Sequence, residues 1–119
     1  MTITAQQIID ECPIIYRDFA LGVPECYKGW LPLIHDLSVN IEAIVAKLDC
    51  PEEERPSVLQ IKEKFGGLRF YLSNGTEEIS NLIDKAEQKA WNICEICGSE
   101  DNVKTGGSGW IKTLCDGCD

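Results

Sequence analysis

The sequence predicts an α+β fold in which several helices pack against one β-hairpin. Two segments carry apolar residues at helical spacing, one over about residues 30–49 and the other over about residues 77–93. Between them, about residues 57–73 contain two arms of alternating side chains joined by glycines, which indicates a hairpin. A chain of 119 residues can form one domain with a single core, or one domain with a small appendage.

The N-terminal region predicts a short helix followed by further apolar residues. Thr4 stands three residues before a glutamine, as in a capping box, which places the first helix at about residues 5–11. Pro13 interrupts this helix, and the apolar residues within 14–19 favour a second short helix. Residues 20–29 contain the glycine and proline that are typical of a loop.

The strongest helical signal is the segment at about residues 30–49. Its apolar residues recur at offsets of three and four, and they form a continuous stripe: Trp30, Leu33, Ile34, Leu37, Ile41, Ile44, Val45 and Leu48. Pro32 fits the first turn, where its missing N–H costs nothing, and Pro51 ends the helix. The acidic run at 52–54 is expected to be a solvated connection.

The hairpin is predicted from the alternation of its arms and from its glycines. The two glycines at 66–67 supply the positive φ values that a tight hairpin needs. The first arm, SVLQIKEK, should turn Leu59 and Ile61 toward the core. The second arm, LRFYLS, should turn Arg69 and Tyr71 toward solvent.

A third helix is expected from about residue 77 to about residue 93. Thr76 is a good N-cap, and two glutamates follow it at the positive end of the helix dipole. The apolar stripe of this helix leads directly into Cys94. We therefore predict an α+β body over residues 1–93 and a separate small module over residues 94–119.

Two cysteine pairs near the C terminus predict a metal site. Cys94 and Cys97 form one C-x-x-C pair, and Cys115 and Cys118 form another after a gap of 17 residues. This spacing is typical of a structural Zn²⁺ site, since two tight turns can together supply a tetrahedron of sulfurs about 2.3 Å from the ion. Four thiolates leave no open coordination position, so we expect one structural zinc without a catalytic role.

Other roles for the cysteines stay open at this point. Disulfides would need an oxidising compartment, a thioredoxin-like redox pair would need a βαβ pattern, and free buried thiols need no paired spacing. Cys12, Cys26 and Cys50 are expected to be small buried hydrophobes. The alternative is a nucleophilic Cys26 activated by His35, which is the one histidine of the chain.

The charge and hydropathy of the chain restrict its partners. With 11 basic and 20 acidic residues the formal charge is −9, which gives no general attraction for nucleic-acid phosphates or anionic membranes. There is no apolar run of about 18 residues, so no membrane span is expected. The N terminus has no basic leader before an apolar stretch, and we expect a cytoplasmic protein.

Several segments together resemble a known family. QIKEKFGGLRFYL at 60–72, CEICG at 94–98 and WIKTLCDGC at 110–118 resemble, in their order, a family of small phage- and prophage-encoded proteins. CPIIYRDF at 12–19 and GWLPLIHDL at 29–37 are similar to that family too. The resemblance implies a protein made inside a bacterial cell with a zinc-knuckle C terminus, and it implies no particular activity.

The chain departs from the family pattern at its C-terminal end. It stops at Asp119, one residue after the last cysteine, where the relatives use histidine and continue. A treble-clef module needs a helix after its second ligand pair. We therefore expect a zinc ribbon or a paired-knuckle arrangement instead.

The preferred function is binding to a protein. A small acidic protein without a catalytic constellation could cover a host or defence protein, as an inhibitor or a mimic whose negative charge opposes a basic surface. Simple solubility is the other explanation of the acidity. Trp110 would either shield the zinc or serve as an exposed anchor for the partner.

Two further classes of function are weighed against it. Nucleic-acid binding would use the outer face of the hairpin, where Lys62, Lys64 and Arg69 form a basic strip that includes Tyr71. The charge of −9 and Glu63, which would interrupt the strip, argue against this alternative. An enzyme of unknown chemistry is the third class, but the chain has no P-loop, nucleophile elbow or H-E-x-x-H motif, and no catalytic residue is expected.

Overall fold

The computed structural model describes residues 3–17, 19, 28–107 and 111–119 and has the predicted α+β architecture. Three helices accompany an antiparallel hairpin, and a second two-stranded antiparallel sheet follows near the C terminus. In chain order the elements are α1 (Ala5–Glu11), α2 (Leu31–Ala46), β1 (Ser57–Lys64), β2 (Gly67–Ser73), α3 (Glu77–Ala90), β3 (Val103–Gly106) and β4 (Lys112–Cys115). Short 3-10 helices at Lys28–Trp30 and Glu52–Glu54 precede α2 and β1.

The helices begin where local sequence signals predict. The hydroxyl of Thr4 accepts a hydrogen bond from the N–H of Gln7 at 3.1 Å, and the hydroxyl of Thr76 accepts one from Ile79 at 3.3 Å. Each bond satisfies one backbone donor that a helix N terminus leaves free. Within the described part of the chain, no helix combines the length and the apolarity needed to cross a membrane.

The segment after α1 corrects one prediction. The second short helix expected within 14–19 is absent, since residues 13–17 form a turn. The carboxylate of Glu42 on α2 accepts hydrogen bonds from the backbone N–H groups of Ile14 and Ile15, both at 2.9 Å. The carboxylate thus satisfies two backbone donors at the start of this turn that have no carbonyl partner within it.

The core lies between the helices and the inner face of the β1–β2 hairpin. Its fully buried side chains come from every element of the body: Ile8, Ile15, Trp30, Ile34, Ile41, Val45, Val58, Ile61, Leu68 and Ile79. The last residue of this hydrophobic cluster is Ile93, immediately before the first cysteine pair. The hydrophobic cluster formed by the described residues therefore ends where the predicted metal site begins.

The turn of the hairpin lies one residue earlier than predicted. Phe65 and Gly66 have φ angles of 52° and 81°, and Gly67 already belongs to β2, where it pairs with Lys64. A two-residue loop with positive φ at both positions matches the right-handed twist of the strands. The N–H of Gly66 also donates to a carboxylate oxygen of Glu63 at 2.7 Å.

A β-bulge overturns the expected orientation of one side chain. The register of β1 and β2 shifts between Val58, which pairs with Leu72, and Gln60, which pairs with Tyr71. Leu59 is the extra residue, and its side chain is 62% exposed instead of facing the core. Val58 takes the buried position and is 1% exposed.

The outer face of the hairpin is basic without interruption. Lys62 pairs with Arg69, and Lys64 and Tyr71 lie two positions further along their strands, so all four belong to one face. Glu63 pairs with Leu68, which is fully buried, and it therefore belongs to the opposite face. The prediction that Glu63 interrupts the basic strip is wrong, because successive residues of a strand alternate between faces.

Candidate metal centre

The four cysteines predicted to bind a metal lie together. The Sγ atoms of Cys94, Cys97, Cys115 and Cys118 are all within 4.8 Å of one another. Those of Cys97 and Cys115 are 3.6 Å apart. A tetrahedral ion with sulfur ligands at about 2.3 Å has S–S edges of about 3.8 Å, so the cluster fits around one ion. The four cysteines are thus placed to bind a metal.

Two hydrogen-bonded turns and a small hairpin bring the four cysteines together. The first turn closes when the N–H of Gly98 donates to the carbonyl of Cys94 at 2.9 Å. In the second, the carbonyl of Cys115 accepts from the N–H groups of Cys118 at 3.1 Å and Asp119 at 3.0 Å. Strands β3 and β4 connect the turns, and they pair Val103 with Cys115. Two cysteine turns joined by a hairpin agree with the ribbon or paired-knuckle arrangement predicted for this module.

The cysteines differ in exposure, and none of those described forms a disulfide. Cys94 and Cys115 are buried, Cys118 is half-buried and Cys97 is exposed. All six described cysteines are free thiols. One side of the cluster is therefore enclosed by protein, and the Cys97 side faces solvent.

Two thiols of the cluster have pKa values shifted in opposite directions. Burial raises the pKa of Cys94, but the backbone N–H groups of Cys97 and Cys115 donate to its sulfur and lower that pKa overall to about 6. Hydrogen bonds with the other three thiols raise the pKa of Cys118 to about 12. Four thiolates this close need a cation to ionise together, which is the condition that a bound divalent metal would meet.

A buried glutamate without any local sequence signal supports the first turn. Glu95 is 1% exposed, and its backbone N–H donates to the carbonyl of Thr113 on β4 at 3.0 Å. Its carboxylate accepts a hydrogen bond from the N–H of Thr113 at 3.2 Å. Burial raises the pKa of this carboxyl. These two bonds hold the first cysteine turn against the strand that leads to the second.

Residues 94–119 are called the metal module below. Hydrogen bonds between described residues connect this module, and Ile93 just before it, to the rest of the protein. The backbone N–H of Gly29 donates to the carbonyl of Glu95 at 2.9 Å. The indole N–H of Trp30 donates to the carbonyl of Ile93 at 2.9 Å, and the hydroxyl of Thr113 donates to the carbonyl of Gly66 at 2.5 Å. The metal module is thereby attached both to the start of α2 and to the turn of the β1–β2 hairpin.

The remaining predicted residues are distributed as follows. Lys62, Lys64, Arg69 and Tyr71 lie on the hairpin and take no part in the cysteine cluster. Trp110 and Cys26 lie outside the described residues, and so does the proposed pairing of Cys26 with His35. The ring of His35 is 3.2 Å from the carboxylate of Glu11. Cys12 is fully buried, as expected, and Cys50 is half-buried.

Comparison of the chain with protein-family models, with curated proteins and with solved structures finds no match. Its function must follow from the residues themselves. Spacing alone identified the four cysteines, whereas Glu95 and Gly29 carry no comparable sequence signal. A glutamate within a cysteine turn is ordinarily solvated, and a glycine before a helix is ordinarily part of a loop.

The environment of Cys12 predicts a pH-dependent stability. Burial, and then the charges of Glu42 and Glu11, raise the pKa of Cys12 to about 12 from an ordinary value of 9.0. Above pH 9 the thiol ionises in the unfolded chain but not in the folded one. The stability that this thiol contributes is therefore present below pH 9 and is lost as the pH rises toward 12, at about 1.4 kcal/mol per pH unit at most.

Chemical denaturation between pH 8 and pH 10 should show this difference, with Cys12→Ala as the reference. The free energy of unfolding of the parent should fall more steeply with pH than that of Cys12→Ala. Equal slopes for the two proteins would contradict the prediction.

Proposed function

We propose that the protein is a zinc-stabilised binding protein. One structural Zn²⁺ would order its interaction surface, and the ion would be bound by Cys94, Cys97, Cys115 and Cys118. The donor set supports zinc, since four thiolates in a tetrahedron favour Zn²⁺ or iron among biological metals. The bound ion would neutralise the thiolates and cross-link the two turns. With all four positions taken by protein, it would have none left for a substrate.

The observation that carries this proposal is the contact between the metal module and the turn of the β1–β2 hairpin. The Thr113 hydroxyl donates to the Gly66 carbonyl, and a side chain at Gly66 would meet Ile111 and Thr105 at 3.2 and 3.1 Å. The hairpin turn thus packs closely on β3 and on the residues that begin β4. An ion that orders β3 and β4 would order the hairpin turn as well.

The exposed apolar side chains support an interaction surface on the two hairpins. Among the described residues, five large hydrophobic side chains are exposed, and four of them belong to the two hairpins or adjoin them: Leu59, Phe65, Tyr71 and Ile111. The fifth, Val39, lies on α2. Large apolar side chains left exposed on the same pair of elements are consistent with a contact surface there.

The kind of partner follows from the sequence resemblance and from charge. The resemblance to phage- and prophage-encoded proteins supports an accessory role in a bacterial cytoplasm, where the protein would bind a host or defence macromolecule. In the inhibitor or mimic form of this proposal, acidic residues outside the hairpins would face a basic protein partner. The proposed role is binding, whether as an accessory protein or as an inhibitor or mimic, and it includes no catalysed reaction.

Elemental analysis of protein purified without added metal tests the zinc assignment. We expect one zinc per chain. Cys97→Ser should purify without stoichiometric zinc, while Cys50→Ser, which changes a cysteine outside the cluster, should retain it. Stoichiometric iron, or metal-free parent protein, would contradict the assignment.

A further inference from the structure

The two hairpins concentrate positive charge on an acidic protein. Residues 57–73 and 103–115 contain five of the 11 basic residues and one of the 20 acidic ones. They therefore carry a charge of +4, and the rest of the chain carries −13. The single acidic residue, Glu63, is on the inner side of the sheet and accepts a hydrogen bond from Gly66. A formal charge of −9 thus conceals a locally basic surface.

The basic side chains of the outer face have no acidic partner among the described residues, and Lys64 is exposed whereas Lys62 and Arg69 are half-buried. Within the described ranges, no carboxylate forms an ion pair with Lys62, Lys64 or Arg69. Arg69 and Lys62 are cross-strand neighbours, so their positive charges lie side by side without a protein counter-ion. Such an arrangement is unfavourable in isolation and becomes favourable when an anion lies across it.

Two exposed aromatic rings flank these charges. Tyr71, opposite Gln60, lies beyond the Lys62–Arg69 pair on one side and is 40% exposed. Phe65 follows Lys64 at the turn and is 67% exposed. One aromatic side chain therefore lies at each end of the basic strip formed by Lys62, Lys64 and Arg69.

Phe65 combines an exposed ring with an unfavourable backbone conformation. Its φ of 52° belongs to the left-handed region, which asparagine and glycine adopt more readily than a bulky residue. A phenylalanine there is strained, and with its ring in solvent it gains little from burial in return. Strain at an exposed aromatic residue is typical of a site that contacts a ligand.

We propose that the outer face of the β1–β2 hairpin binds single-stranded nucleic acid. Lys62, Lys64 and Arg69 would contact phosphates, and Phe65 and Tyr71 would stack on bases. The inference rests on the proposed function, because the metal module supports the turn that carries Phe65. An acidic protein segment would satisfy the charges as well, but it offers no series of flat rings to match the two aromatic side chains.

Fluorescence anisotropy with a labelled oligothymidylate of about 15 nucleotides at about 50 mM salt tests the proposal. We expect the zinc-loaded parent to bind, and its affinity to fall steeply as salt is raised. Lys62→Glu with Lys64→Glu should weaken binding at least tenfold. Lys47→Glu with Lys85→Glu, an equal charge change on exposed positions of the helical side, should leave binding within about twofold.

Phe65→Asn separates stacking from charge. Asparagine tolerates the left-handed backbone, so this variant should unfold at a higher temperature than the parent and yet bind the oligonucleotide roughly tenfold more weakly. The parent should also prefer oligothymidylate to an abasic oligonucleotide of equal length. Phe65→Asn should lose that preference. If Phe65 had a purely structural role, the preference for bases would be unchanged in this variant.

Three results would overturn the inference. They are no binding by zinc-loaded parent, equal losses in the two charge-changed variants, and equal competition by polyglutamate, which would assign the face to an acidic protein. Zinc content measured on the same samples separates these results from failure of the proposed function, since that proposal fails when the metal is absent.

Discussion

Gly29→Ala is expected to detach the metal module from the body and to lower the free energy of unfolding by more than about 3 kcal/mol. A β-carbon at this position would overlap the carbonyl oxygen of Cys94 and would lie 2.6 Å from the backbone carbon and oxygen of Glu95. These are main-chain atoms, so no change of side-chain rotamer can remove the overlap. The hydrogen bond from the Gly29 N–H to Glu95 would be lost as the chains separate.

Chemical denaturation of the zinc-loaded protein measures this effect, and the chain offers a matched control. Gly106→Ala changes a glycine of the metal module where an added β-carbon meets nothing within 4 Å. That variant should stay within about 1 kcal/mol of the parent. A similar small change for Gly29→Ala would show that the first cysteine turn does not depend on its contact with the start of α2.

Loss of the metal is expected to unfold the metal module while the helical body remains folded. The hydrophobic cluster ends at Ile93, and the buried side chains described beyond it are two cysteines, Glu95 and Thr113. Such a module has almost no apolar interior of its own. A bound structural zinc, with an apparent binding energy of about 10–16 kcal/mol, would therefore be its main source of stability.

Hydrogen exchange of the zinc-loaded protein and of Cys97→Ser would measure this. Cys97 is exposed, so its replacement by serine removes a ligand without disturbing a packed core. Amide protection in β3 and β4 should fall by at least a hundredfold, and protection at the hairpin turn should fall with it, while α2 and α3 keep theirs. Cys50→Ser serves as the control. Retained protection in β3 and β4 of the metal-free variant would contradict a structural role for the metal.

The features that local sequence determines were predictable. α3 begins after Thr76 because a threonine hydroxyl can bond to a backbone donor three residues on, and this depends on nothing distant. The four cysteines were identified because the spacing within each pair is itself the geometry of a turn that offers two sulfurs to one ion. The apolar stripe of α2 likewise predicted which side of that helix is buried.

The features that depend on distant contacts were not predictable. The turn at residues 13–17 lies against α2 because Glu42, far along the chain, accepts hydrogen bonds from its backbone. Leu59 faces solvent because of a bulge that only the pairing of β1 with β2 reveals. Glu95 is buried because β4 returns beside it. In each case the partner is separated from the residue by more than ten positions, beyond the range of local pattern.

The separation of charge between the hairpins and the rest of the protein also makes the molecule an electric dipole. The field of a distant polyanion would rotate such a dipole before the two molecules touch. Encounters that lead with the hairpins would then be enriched, and those that lead with the acidic remainder would be rejected. The orientation of approach would thus be set before any contact forms. Because salt screens this long-range field, added salt would lower the association rate constant more than it raises the dissociation rate constant.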